Sequence, residues 1–320
     1  MDGKTTAEKK EKKKTGFFQE IRKNKVLYLM LVPAMAFVLL FAYIPLVGIY
    51  YAFINYNYID GLFGSPFVGM KNFEYLFKGG FSSPVWALTR NTLLYNIVFI
   101  FLGNILQVVI AILLTEIMSK WFKKVSQTVI LLPYFVSYVI VGTIAYNMFN
   151  VEFGSINSLI KFLGGEPVNL YAMPKVWPAI IILFFLWKGL GYGTVIYLAA
   201  IMGIDRELYD AARTDGCNIF QEIRYITLPM LKNTFVTLIL FALGGIMRGQ
   251  FDLFFQLVGN NGQLFPYTDI IDTYIYRALT INFNLGTSTA AGVYQSVFGL
   301  VLVLTVNHIV KKISPDSALF

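Results

Sequence analysis

The sequence predicts an all-α, polytopic membrane protein. Of its 320 residues 57% are hydrophobic and 14% charged, and the mean hydropathy is +0.62. Soluble domains are rarely so apolar. Apolar windows of about 20 residues, enough for a helix to cross a hydrocarbon core of about 30 Å, alternate with polar segments. Hydropathy predicts spans near 26–53, 91–115, 125–149, 177–202, 231–258 and 288–310.

The first 25 residues form a basic tail ahead of the apolar domain of 26–320. The tail holds nine Lys/Arg, several in the run Lys9-Lys10-Glu11-Lys12-Lys13-Lys14, and it supplies most of the net charge of +8. A solvated extension drawn to anionic lipid heads explains this excess better than a nucleic-acid partner does. The segment from Val26 to Phe53, interrupted by Pro33 and Pro45, is too long for a cleaved signal, and Ala34-Met35-Ala36 falls early inside its apolar run. It is expected to be the first span. Cys217 is the only cysteine, so no disulfide forms within the chain.

Six spans put both termini on one side. The tail, the second-to-third connection, the fourth-to-fifth connection and the C-terminus carry eighteen Lys/Arg together, against five in the opposite segments 54–87, 150–176 and 259–287. The positive-inside rule therefore places both termini in the cytoplasm. The opposite segments are rich in Gly, Asn, Pro and aromatics and are expected to form ordered caps.

The connection 204–229 is too polar to span. Ile204, Leu208, Ala211 and Ala212 sit at helical spacing, which predicts a short amphipathic helix along the membrane face. Gly216 suits its left-handed end, and Pro229 suits the first turn of the next span.

Asp210-Ala211-Ala212, then Gly216 after three residues, then Ile226-Thr227-Leu228-Pro229 after nine more, resembles the EAA loop of binding-protein-dependent ABC importer permeases. Asp210 stands where that family usually has Glu, and Cys217 where it usually has a small residue such as Ala. The resemblance extends from Val26 to Phe320 and favours the maltose-type sugar permeases, in the oligosaccharide and polysaccharide branch. Tyr43-Ile44-Pro45, Val68-Gly69-Met70-Lys71-Asn72-Phe73, Trp187-Lys188-Gly189-Leu190-Gly191-Tyr192-Gly193 and Ile271-Asp272-Thr273-Tyr274-Ile275-Tyr276-Arg277 agree with it.

The resemblance implies a six-helix type I (MetI-like) permease core in a bacterial cytoplasmic membrane. It implies a cytoplasmic coupling helix seated on an ATPase, with Glu207, Asp210, Ala211, Ala212, Asp215, Gly216, Leu228 and Pro229 as coupling residues. It further implies two ATPase subunits, a second permease of a different sequence and an extracytoplasmic solute-binding protein. No G-x-x-x-x-G-K-[ST] phosphate cradle occurs, since Gly3-Lys4-Thr5 lacks the upstream glycine. The chain is accordingly expected to be a permease and not an enzyme, with ATP and Mg bound by its partners and no cofactor or metal of its own.

Ionisable residues inside spans are costly and mark functional or paired positions. Lys188 lies midway along the fourth span, and Arg248 lies in the fifth with Gln250, Asp252 and Gln256 nearby. By the resemblance, Phe185, Gly189 and Tyr192, with Gly245 and Gly249, fall where the maltose-type family places sugar contacts. The expected substrate pathway is therefore Phe185, Lys188, Gly189, Tyr192, Gly245, Arg248, Gly249 and Asp252. Two structural alternatives stand beside it: Lys188 pairs with Asp252 to neutralise both, and the glycines serve close helix packing. Arg248, if it faces the cavity, argues for an anionic sugar such as a uronate. Asn91, Asn96, Asn104 and Gln107 are expected to hydrogen-bond between helices. The rival functions are an ion-coupled secondary transporter using Lys188, Asp252 and Arg248 as a relay, and an importer of a non-sugar solute.

Overall fold

A computed structural model describes residues 22–80 and 83–313. It is nearly all helical, and one isolated antiparallel bridge, Ile54 to Phe67, occurs among the described residues. The chain divides into two units, Met1–Tyr50 and Tyr51–Phe320. The first contains α1 (Lys25–Val38), whose apolar course continues through π and 3-10 turns to Phe53. In the second unit follow α2 (Lys71–Phe77), α3 (Pro84–Thr115), α4 (Lys120–Leu131), α5 (Tyr138–Phe149), α6 (Trp177–Met202) and α7 (Arg206–Thr214). After these come α8 (Leu228–Leu243), α9 (Phe251–Val258), α10 (Ile271–Thr280) and α11 (Leu285–Ile313).

Helix starts follow local chemistry. Pro84 opens α3 after extended Ser83, and Pro178 lies in the first turn of α6, positions where a missing N–H costs nothing. Ser119 and Ser137 cap α4 and α5 by accepting from Phe122 N and Ile140 N. Among the described residues five helices are long and apolar enough to cross a membrane: Lys25–Phe53, Pro84–Thr115, Trp177–Met202, Ile219–Leu243 and Leu285–Lys312.

Two expected spans are broken. Where hydropathy suggests one span over 125–149, Lys120–Phe135 and Tyr138–Phe149 meet at 94°. Pro133 causes this, because it has no N–H to extend the ladder and its ring crowds the preceding turn. Where hydropathy suggests one span over 231–258, α8 ends at Leu243 and the chain turns through Gly244–Gln250 before α9. Glycines at 244, 245 and 249 lower the helix propensity of that stretch. A hydropathy average registers neither break, since the helices flanking each one are apolar.

The second unit is built around α3 and α6. Tyr95, Phe99, Val141, Trp177, Phe184 and Phe254 join α3, α5, α6 and α9 in one buried cluster, and Val108, Tyr197, Leu198 and Leu231 join α3, α6 and α8 in another. Close approach is set by Gly191: a Cβ there would collide with the Ile130 carbonyl and lie 2.7 Å from Leu131 Cα. Within a membrane these aromatics hold the helices together by close packing rather than by transfer out of water.

Candidate substrate cavity and coupling helix

A cavity of about 480 Å³ opens where α3, α6 and the break after α8 converge. From α3 come Asn96, Phe99, Gly103, Asn104 and Gln107; from α6 come Phe185 and Gly189; from the break come Gly245, Arg248, Gly249 and Gln250. Phe99 and Phe185 stack face to face, with centroids 3.8 Å apart at 13°, and make an aromatic wall. The Arg248 side chain is exposed, and its guanidinium makes no hydrogen bond or ion pair among the described residues.

Buried amides hold the backbone around this wall. Asn96 donates to the carbonyls of Thr92, Ile246 and Arg248 at 3.0, 2.9 and 3.2 Å. Asn104 accepts from the Tyr197 hydroxyl at 2.7 Å. Asn91 donates to Pro266 O and Asp269 O at 3.4 and 3.0 Å. Asparagines of α3 thus satisfy carbonyls that no regular helix would satisfy.

Five of the eight expected pathway residues, Phe185, Gly189, Gly245, Arg248 and Gly249, line the cavity. Lys188, Tyr192 and Asp252 do not line it. Phe185 and Gly189 line the cavity, while Lys188 and Tyr192 meet the residues of the break before α5. Lys188 is 9% exposed. Its amine donates to the carbonyls of Tyr134 at 2.8 Å and Val136 at 2.5 Å, with Pro133 O at 3.5 Å, and sits 4.8 Å from the Tyr138 ring centroid. Tyr192 stacks on Tyr134 at 4.8 Å and 14°. Asp252 is exposed on α9 and makes no ion pair with Lys188 among the described residues.

Sequence reasoning gave Asp272 no role. Its carboxylate accepts from Gly249 N at 2.7 Å and from Gln295 Nε2 at 3.0 Å, and Gln295 also donates to Met247 O at 2.6 Å. Burial pushes this carboxyl above its usual range, opposed by the Gly249 and Gln295 bonds and by the nearby Arg248 charge. The residue comes from a segment that reads as an outer loop. No local pattern announces that it reaches the break.

At the opposite end of the spans, α7 is capped by Asp205, whose side chain accepts from Glu207 N at 3.0 Å. Gly216, at φ +83°, ends it. Gly216 N donates to Arg213 O and Cys217 N to Ala212 O, at 3.0 and 2.9 Å, which is a Schellman motif. Asn218 and Gln221 form a capping box for the next turn. A π turn, Ile223–Thr227, then absorbs the conflict that Pro229 creates with the preceding helix.

Tyr209 Oη meets Thr227 Oγ1 at 2.9 Å, and Arg213 forks onto Glu222 at 2.9 and 3.2 Å. The Glu222 bonds raise the Arg213 pKa further. These contacts tie one side of α7 to the base of α8. The other side, Glu207, Leu208, Asp210, Ala211 and Asp215, is exposed, as are Gly216, Leu228 and Pro229, while Ala212 is half-buried.

The profile described as "binding-protein-dependent transport system inner membrane component" matches residues 107–315. The chain belongs to that family. It is 35% identical over 308 residues to the polygalacturonan/rhamnogalacturonan transport system permease protein YteP of Bacillus subtilis, covering 96% of this chain and 94% of that one. It also resembles, with TM-score 0.83 and 30% identity, a chain in the crystal structure of a bacterial ABC transporter involved in the import of the acidic polysaccharide alginate, covering 94% of this chain and all of that one. A second structure, of a bacterial alginate ABC transporter with an alginate pentasaccharide-bound periplasmic protein, gives TM-score 0.82 over 94% of this chain and 99% of that one. The chain is thus a multi-pass permease subunit of the MetI-like fold, and the cavity and α7 described above are features of such a subunit.

Proposed function

We propose that this permease subunit moves an acidic oligosaccharide or polysaccharide fragment across the cytoplasmic membrane by alternating access. The observation that carries the substrate class is the unpaired Arg248 guanidinium beside the Phe99–Phe185 stack. Aromatic faces suit the apolar faces of sugar rings, and guanidinium binds carboxylates in bidentate geometry. The substrates named for the relatives, polygalacturonan/rhamnogalacturonan and the acidic polysaccharide alginate, all carry uronate units, in agreement with that chemistry.

Energy enters through α7. Its exposed face seats on one of two ATPase subunits that bind ATP and Mg, and both termini lie on that cytoplasmic side. Closure of the ATPase pair draws this helix toward its counterpart on a second, different permease subunit, and the Tyr209–Thr227 and Arg213–Glu222 ties pass the movement to α8. Substrate arrives on a docked extracytoplasmic binding protein.

Uptake by an Arg248→Gln variant, compared between acidic and neutral oligosaccharides, tests the substrate class. A charge-assisted contact contributes about 1.5–3 kcal/mol, so kcat/KM for the acidic sugar falls about 10- to 100-fold while the neutral one is spared. Equal loss for both removes the charge argument. Gly216→Val tests coupling, because a β-branched residue at φ +83° costs about 1–2 kcal/mol or more and dissolves the Schellman end. Co-purification of the ATPase is expected to be lost with Val and largely kept with Asn, which tolerates the left-handed region. Retention with both would sink the assignment of α7.

A further inference from the structure

On the face opposite 204–229, the 54–58 segment meets the turn that leads into α11, and a cavity of about 250 Å³ lies between them. Asn72 holds its floor by donating to the carbonyls of Ala52 and Ile54 at 3.0 and 2.9 Å. One wall carries Asn55, Tyr56 and Tyr58, and Asn55 N is fixed to Pro66 O at 2.9 Å. The other carries Asn282 and Phe283, with Asn282 N bonded to Arg277 O and Asn284 N to Ala278 O at 3.1 and 2.9 Å. Both walls are therefore set by backbone bonds.

Phe283 is the only non-glycine residue with positive φ among those described, at +49°, and its ring is 70% exposed. A bulky residue in that region is strained, and such strain persists where the surroundings fix it for use. No buried packing rewards it here. Tyr58 is also 70% exposed, with Tyr56 edge-on to it at 5.1 Å. The side-chain amides of Asn55 and Asn282 and the hydroxyls of Tyr56 and Tyr58 have no hydrogen-bond partner among the described residues. No charged side chain lines the cavity.

We propose that this cavity is a saccharide subsite on the outer face, taking one pyranose ring of an oligosaccharide. Tyr58 and Phe283 offer ring faces, and the amides of Asn55 and Asn282 bond hydroxyls. Lacking charge, the subsite reads hydroxyls and ring faces and is indifferent to carboxylates, unlike the wall around Arg248. It rests on the saccharide-import reading and adds a second contact point to it.

The test uses the assembled transporter in nanodiscs without its binding protein, with tetragalacturonate as the probe and saturation-transfer NMR as the readout. Tyr58→Ala and Asn282→Ala are each expected to weaken the probe signal and, in proteoliposomes supplied with the binding protein, to raise the uptake KM about five- to tenfold, the scale of one aromatic or polar contact. Maximal uptake rate and basal ATPase activity stay unchanged, and Tyr58→Phe behaves as wild type because the ring is kept. Wild-type signal and KM in both alanine variants overturn the subsite alone. Weaker capture of the solute-binding protein with the saccharide signal intact also overturns it, in favour of a protein-docking surface. If the wild-type transporter takes up no saccharide, the import reading fails and the subsite falls with it.

Discussion

The break before α5 and the break after α8 solve one problem with opposite charges. Interrupting a helix in an apolar setting strands backbone groups that water cannot reach, at a cost of several kcal/mol if they stay unpaired. Before α5 the stranded groups are carbonyls at the end of a 3-10 turn, and the Lys188 ammonium collects them. After α8 the stranded group is an N–H at the approach to α9, and the Asp272 carboxylate accepts it. A cation at a C-terminal end and an anion at an N-terminal end are the favourable pairings with the helix dipole. The cavity cation, Arg248, seals neither break. A charge inside such a protein is therefore read by what it can reach rather than by its depth.

This comparison is broken most directly at Lys188. Lys188→Met keeps the volume and stem but removes the donor, leaving the carbonyls of Tyr134 and Val136 unpaired, each worth about 1–3 kcal/mol. Loss of about 3 kcal/mol or more is expected, read as a lower melting temperature of the purified subunit and loss of uptake. Wild-type melting would show that the break stands without its cation. Gly249→Ala is expected to do less. An added Cβ would strike the Ile270 side chain and lie 2.7 Å from Asp272 Oδ2, but two side-chain ends can shift, so about 1–3 kcal/mol is lost as overpacking. If that variant melts as wild type while uptake falls, Gly249 acts on substrate and not on the break.

How much of this was legible in the sequence follows from the range of each interaction. The short helix of 204–229 was readable because its parts are local: Asp205 caps the helix that Gly216 ends, eleven residues later in the chain. The cavity was partly readable, since Phe185 and Gly189 are one turn apart and share a face. Lys188 was recognised as unusual, but its partners lie more than fifty residues away across a kink that hydropathy averages out. Asp272 was not recognised as a partner at all. Its segment is polar and follows Gly and Asn, so it reads as a cap, and only the fold carries it back to Gly249, 23 residues earlier.

The smallest expected effect is the most specific to the charge itself. Asp272→Asn keeps an oxygen that can accept from Gly249 N and Gln295 Nε2 while removing the ionisable proton, so at neutral pH the stability changes by only about 1 kcal/mol in either direction. The pH dependence is expected to change more than the magnitude. Burial raises the Asp272 pKa from its usual 3.8, so the folded protein binds this proton more tightly than the unfolded chain does. The resulting stability is fully present below that value and is lost as pH rises through the raised one. Melting of the wild-type subunit should therefore fall with rising pH across that window, and the slope of Asp272→Asn should be flatter by one proton. Equal slopes would mean that Asp272 titrates alike in both states. The α8–α9 break would then be held by the geometry of the acceptor, and the opposition of charges between the two breaks would reduce to Lys188 alone.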